Sequence, residues 1–314
     1  MITFLTSPKP FVGIDKENQY RAIRNWKLVA NNAEIILYGN SDGIDTAAED
    51  LNVKIVKNIK STKGGIPYFG SIVNHASEFG IFDIQIYLNC DILLGNIDQV
   101  INKVTISKFL CIGQRIDLSS NFNIDISPSS LKFNLRSLYT KEKIDLHKPT
   151  GIDYFIFRRS MWNHIGEIVI GRGGYDNALL RFCKLNHISI IDCTNMIVAL
   201  HQFHDYNHVI GNKKSVFLGN DAKNNLKQAG KYSLLTITDS DYIFYNNKLI
   251  INKCRGDILR FLELNFKYNY NFVFLSYIIR FIWRILIKLN IINLQTTNLI
   301  DLITIYETEV SENE

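Results

Sequence analysis

Ile84-Gln85-Ile86-Tyr87-Leu88-Asn89-Cys90-Asp91-Ile92-Leu93-Leu94 is the stretch that decides how this chain is read. It is an apolar strand-like run, 84–89, broken by Asn-x-Asp and followed by more apolar residues. A carboxylate at a strand end is well placed to meet a ligand, because open α/β sheets bind ligands beyond the carboxyl ends of their strands. A hard divalent cation wants oxygen ligands and often keeps a substrate phosphate as partner. Taken alone, the segment also admits a plainer reading, in which Asn89 and Asp91 cap the strand and begin a turn.

Working outward, similar runs recur. Residues 2–6 (ITFLT), 34–39 (EIILYG), 53–58 (VKIVKN) and 108–113 (KFLCIG) read as strands, as do 153–159 (DYFIFRR) and 188–192 (ISIID). Between them Glu17–Ala30, with Asp15 as its N-cap, Tyr68–Phe79 and Asp176–Asn186 read as helices. This alternation predicts an α/β fold: a mostly parallel sheet covered by helices on both faces. Ligand-facing positions are then Thr6-Ser7-Pro8, Gly39-Asn40-Ser41-Asp42 and Asn89-Cys90-Asp91. Residues 116–150 are polar and irregular, with SPSS at 127–130, and read as a surface loop or lid.

The bulk numbers agree with this outline. The chain has 314 residues and a 46% hydrophobic fraction, enough for one large α/β domain plus an appendage and against global disorder. A net charge of +5 suits nucleotide phosphates or lipid head groups and is too small to argue for nucleic acid. Five cysteines without a CxxC pair predict a reducing compartment and no disulfide framework. Residues 1–13 lack a basic n-region and a long apolar run, so they read as a first buried strand, not a signal peptide.

Two further segments carry candidate chemistry. His201, His204, Asp205 and His208 fall within eight residues, 201–208; on a helix the three histidines would share a face and suit a metal. The plainer alternative is a polar loop with hydrogen-bonded imidazoles. Gly171-Arg172-Gly173-Gly174-Tyr175-Asp176 lets backbone approach a ligand closely, and Arg172 can pair with phosphate. Asp176 can be either a helix cap or a catalytic carboxylate. Thr150-Gly151-Ile152-Asp153 is a similar loop entering a strand. Lys63-Gly64-Gly65 lacks the order of a phosphate loop, and neither GxGxxG after a strand nor GxSxG occurs.

Eight segments in this order resemble a GT-A glycosyltransferase family of bacterial surface-polysaccharide gene clusters: 36–40, 64–76, 87–94, 109–118, 150–159, 170–180, 190–194 and 199–208. The resemblance implies a Rossmann-like GT-A domain over residues 1–215, with a nucleotide half and an acceptor half. It implies a metal-dependent transfer of sugar from a nucleotide-diphosphate sugar, a UDP-sugar first, to a glycan or lipid-linked acceptor. Asn89-x-Asp91 matches the DxD position, with Asn replacing the first Asp. Asp91 would then bind Mn2+ or Mg2+, completed by His201 or, second, His204. Thr6, Pro8 and Lys9, with Asn40 and Asp42, would line the base and ribose, and Asn89 would contact ribose or donor sugar. Arg115 would reach phosphate or donor sugar. Asp153 and Asp176 would face the sugars, with Asp176 the base of an inverting reaction.

Residues 216–314 read as a C-terminal extension. Within it 272–293 is long enough to span a bilayer, but Arg280, Arg284 and Lys288 recur every fourth residue. That stripe favours an amphipathic helix lying on an anionic membrane surface over the two alternatives, a transmembrane anchor and a helix docked on the catalytic domain or a partner; with the reducing reading of the cysteines it gives a cytoplasmic enzyme peripheral to the inner face of the cell membrane. Deleting 270–314 is expected to release the protein from membranes and to spare donor hydrolysis. Two other functions stay open: a metal-dependent hydrolase built on His201, His204 and His208, and a catalytically inactive GT-A-like membrane adaptor.

Overall fold

A strand buried on both faces needs apolar residues at consecutive positions, and the first half of the chain supplies them at short intervals. In the computed structural model, which describes residues 1–120, 124–204, 216–230, 234–254, 257–289, 291 and 297–311, every strand expected above forms. The chain begins β1 (Ile2–Thr6), α1 (Gly13–Val29), β2 (Glu34–Tyr38), α2 (Ile44–Asp50), β3 (Lys54–Val56), α3 (Phe69–Phe79) and β4 (Ile84–Leu88). It continues with β5 (Ile92–Gly95), α4 (Ile97–Ile101), β6 (Phe109–Ile112), β7 (Ile116–Leu118), α5 (Pro128–Thr140), β8 (Ile144–Leu146) and β9 (Tyr154–Arg158). Then come α6 (Tyr175–Leu185), β10 (Ser189–Asp192), β11 (Val198–His201), α7 (Asn220–Ala229), β12 (Tyr242–Tyr245) and β13 (Lys248–Ile251). Helices α8 (Ile258–Leu264), α9 (Val273–Lys288) and α10 (Leu299–Ser311) close it.

The main sheet runs β13-β12-β10-β6-β9-β4-β1-β2-β3. Only β9 and β13 oppose the common direction. Alternate residues serve two cores. Phe4, Ile86, Ile156 and Ile191 join Trp26 of α1 on one face; Leu5, Tyr87, Phe155, Phe157 and Ile190 join Phe69 of α3 and Leu179 of α6 on the other. A smaller sheet, β5-β11-β7-β8, sits at the carboxyl ends of β4 and β6 and takes the chain directly from them.

Several expectations need correction. Residues 116–150 are not a loop: they hold two strands and α5, whose N-cap Ser127 accepts from Ser130 N with Pro128 in the first turn. Asp15 is not the cap of α1, which starts at Gly13 after Val12. The segment after 215 is not an appendage of the sheet. It supplies β12, paired in parallel with β10, and β13. Leu302, Ile303 and Tyr306 of α10 lie in the core, where Tyr306 Oη donates to Thr194 O at 2.5 Å. All five cysteines are buried and free.

Candidate active site

The centre of the site is set by strand register. Strand β4 runs out at Leu88, and three residues later Asp91 stands immediately before β5. Strand β11 lies antiparallel to β5 with His201 opposite Ile92, and parallel to β7 with His201 opposite Asp117. His201 is therefore held between two carboxylates: Nε2 is 3.7 Å from Asp91 Oδ2 and Nδ1 is 3.1 Å from Asp117 Oδ1. His204, in the turn after β11, brings Nε2 to 3.4 Å from Asp91 Oδ2. The histidines thus converge from a strand end and its turn, not from a helical face as the sequence suggested. His208 and Asp205 lie outside the described residues.

Asp91, His201 and His204 offer ligand atoms within 4.8 Å of one another. Asp91 is only 5% exposed, and its Oδ1 has no hydrogen-bond partner among the described residues. A buried carboxylate oxygen left unmet is costly, so its presence beside two imidazoles fits a cation-binding role. One carboxylate and two imidazole nitrogens suit a divalent ion with open positions for further oxygen ligands. Lys9 adds charge to the same spot: Nζ is 3.0 Å from Asp91 Oδ2, 3.5 Å from Asp15 Oδ1 and 3.2 Å from His204 Nε2.

These contacts govern protonation. Burial opposes the charge of Asp91, but Lys9 and the two histidines outweigh it and hold the carboxyl well below the usual range. Burial likewise disfavours charged His201, yet Asp91 and the Asp117 hydrogen bond raise its pKa to about 9. His204 moves the other way, lowered by burial and by Lys9. A metal ligand must be neutral imidazole, so cation binding at His201 would release a proton.

A second cluster adjoins the first. Arg115 Nε donates to Asp117 Oδ1 at 2.7 Å, and its Nη1 donates to Asp153. His147 Nδ1 is 2.6 Å from Asp117 Oδ2. Asn89 is turned away from Asp91: its amide donates to Asp153 Oδ1, while its backbone N donates to Asp153 O at 3.0 Å. A Cβ at Gly151 would lie 2.7 Å from His147 Nε2, so a side chain there would have to displace that ring. Asp117 and His147 were not anticipated. They lie thirty residues apart in the segment read as a loop, and no local motif marks them.

Asp176 sits in the first turn of α6, 9% exposed, accepting from Asn177 N at 2.9 Å. The helix N-cap is Gly174, so Asp176 is not the cap. Burial, aided by the nearby negative charge of Asp153, pushes its pKa to about 7. That value suits a general base at neutral pH. In the expected nucleotide segments, Phe11 N donates to Asp42 O at 2.8 Å, which holds the loops after β1 and β2 together. Thr6 is fully buried and Pro8 is buried, whereas Lys9, Asn40 and Asp42 are exposed. A separate cavity of about 230 Å³, lined by residues including Lys184, Asp241 and Tyr268, lies at the amino ends of β10 and β12, away from this site.

No family model matches the sequence. No curated protein matches it. Among solved structures, a mannosyltransferase from Pyrobaculum calidifontis in complex with GDP-Man and Mn2+ aligns over 66% of this chain at 12% identity, TM-score 0.41. The alignment spans 58% of that enzyme, less than two thirds of its length. Glucosyl-3-phosphoglycerate synthase from Mycobacterium tuberculosis, in complex with Mn2+, UDP and phosphoglyceric acid, aligns over 73% of this chain and 78% of its own at 13% identity, TM-score 0.41. The same synthase with Mg2+ and UDP aligns at 12% identity, TM-score 0.40, over 73% of this chain and 79% of its own. Similarity at this level carries no weight for activity.

Proposed function

We propose that the chain is a GT-A-type glycosyltransferase that uses Mn2+ or Mg2+ to move a sugar from a nucleotide-diphosphate sugar, a UDP-sugar first, to a glycan or lipid-linked acceptor in surface-polysaccharide synthesis. One observation carries the reading. Asp91, with a buried oxygen unmet among the described residues, faces His201 and His204 at the carboxyl edge of a mostly parallel sheet. That edge is where such sheets take nucleotides.

In this reading Asp91, His201 and His204 would hold the cation. The bound cation would neutralise the leaving diphosphate. Lys9, already 3.0 Å from Asp91, would add positive charge on the donor side. Arg115 is engaged by Asp117 and Asp153, so its part would be to fix Asp153 and share charge with the donor. Asp153, tied by Arg115 and Asn89, would position a sugar hydroxyl. Asp176 would accept the acceptor hydroxyl's proton at its carboxylate as the acceptor oxygen attacks the anomeric carbon and the nucleoside diphosphate leaves. Asn40, Asp42 and the backbone of Thr6 to Lys9 would contact base and ribose. The same proposal places the protein in the cytoplasm, at the inner face of the cell membrane.

Thermal shift with nucleotides and nucleotide-sugars, each with and without Mn2+, tests this directly. One nucleoside diphosphate is expected to stabilise the protein only when metal is present, and Asp91→Ala should remove both that shift and turnover. Stabilisation by metal alone, with no response to any nucleotide, would move the site to a metal-dependent hydrolase. No response to either would leave an inactive adaptor.

A further inference from the structure

Helix α9 turns one of its three cations inward and an apolar side outward. Arg280 Nη1 donates to Glu263 Oε1 and Oε2 at 3.0 and 3.3 Å, and Glu263 Oε2 also accepts from Arg260 at 2.6 Å. Trp283 Nε1 donates to Asp257 on the same side. Only Ser276 of the helix is buried. The other side carries Phe274, 79% exposed, Phe281, 67%, and Ile278 and Ile285, both 41%. At 100° per residue these four fall within an arc of about 60°. Arg284 and Lys288, both exposed, lie along one side of it, about 60° and about 20° beyond Phe281. Soluble monomers rarely leave so continuous an apolar face bare.

Charge identifies the occupant. From residue 264 to residue 300 the chain carries Lys267, Arg280, Arg284 and Lys288 and no Asp or Glu. A second copy of the same face would bring like charges together. An anionic bilayer offers an acyl boundary for the aromatic arc and phosphate for the cations beside it. No helix among the described residues is long and apolar enough to cross a membrane, so α9 would lie along the surface.

We propose that α9 docks flat on an anionic lipid surface through Phe274, Ile278, Phe281 and Ile285, with Arg284 and Lys288 among the head groups and Arg280 reserved for the tie to Glu263. The basic stripe read from the sequence is thereby split: one of its cations holds the helix to the body, and two face the lipid. This deepens the proposed function by bringing the site to a surface where lipid-linked acceptors reside, but the docking stands without it.

The test is co-sedimentation of the full chain with vesicles of phosphatidylcholine alone and of phosphatidylcholine with phosphatidylglycerol. Binding is expected on the anionic vesicles. It should fall on the order of tenfold in Phe274→Asp/Phe281→Asp and in Arg284→Glu/Lys288→Glu. The melting temperature should be unchanged, because all four side chains are exposed. Wild-type protein that stays in the supernatant with anionic vesicles overturns the proposal. So does equal binding to neutral vesicles. So does a wild-type dimer in sedimentation velocity that Phe274→Asp/Phe281→Asp converts to monomer while vesicle binding persists. Docking that survives alongside a failed nucleotide screen would remove the transferase reading alone.

Discussion

At the scale of single residues, the carboxyl of Asp176 makes the sharpest demand. The fold raises its pKa from the usual carboxylate range to about 7. A group so raised favours its protonated form in the native state. The native protein therefore binds more protons than the unfolded chain between roughly pH 4 and 7, and stability falls as pH rises through that window. Activity runs opposite, because a general base must be ionised. For wild-type protein, kcat/KM should climb with pH and level off above about 7. Asp176→Asn should lose transfer by on the order of a hundredfold or more. At pH 8 the same variant should melt at least about 4 °C higher than wild type, with a smaller gain at pH 5. A flat pH profile, or a variant that loses activity and stability together at pH 8, would remove Asp176 from the base role. The sequence singled out Asp176 and Asp91 because each stands where a strand or glycine turn ends. It gave no sign of the Asn89–Asp153 contact, which depends on the antiparallel pairing of β4 with β9.

At the scale of elements, the register of the small sheet does the positioning. Pairing His201 with Asp117 across β11 and β7 sets one ring nitrogen on a carboxylate and leaves the other facing Asp91. Carboxylate–histidine pairs of this kind orient a ligand and fix its tautomer, and losing the outer partner commonly costs ten- to a hundredfold in metal affinity. Asp117→Asn should therefore weaken Mn2+ binding by about tenfold or more, measured by calorimetry on the folded variant. Affinity at the wild-type level would show that β7 only supports the strand beside it. These strands were hard to read because β7 and β8 are three residues each and polar between their apolar ends. The helix between them was missed although its start signal is present: Ser127 before Pro128 is an N-cap followed by a proline in the first turn, but with two serines after it the pattern also reads as a polar loop. The long apolar strands of the main sheet needed no such help, since burial on both faces leaves its mark at every position.

At the scale of the molecule, the last turns of the chain close the core that the first strand opens. Leu302, Ile303 and Tyr306 are at most 1% exposed, and Tyr306 Oη reaches the carbonyl of Thr194, beside the carboxyl end of β10. The sequence carries no mark of this contact, because an apolar face of three residues at 302, 303 and 306 reads like that of any short extension helix until its partner is known. Burying three such side chains contributes on the order of 5–9 kcal/mol, comparable to the whole stability of a typical domain. Deletion of 270–314 therefore cannot serve as a clean membrane-release variant. Removing residues 297–314 alone should abolish cooperative melting or lower the melting temperature by more than about 10 °C, and should abolish donor turnover with it. Leu302→Asp should act in the same direction, because it sets a charge in the core without shortening the chain. A truncated protein that melts like wild type would mean that α10 is an accessory to the fold. The exposed substitutions on α9 are the ones that separate docking from folding, since they touch the lipid-facing arc and leave the seat of Tyr306 in place.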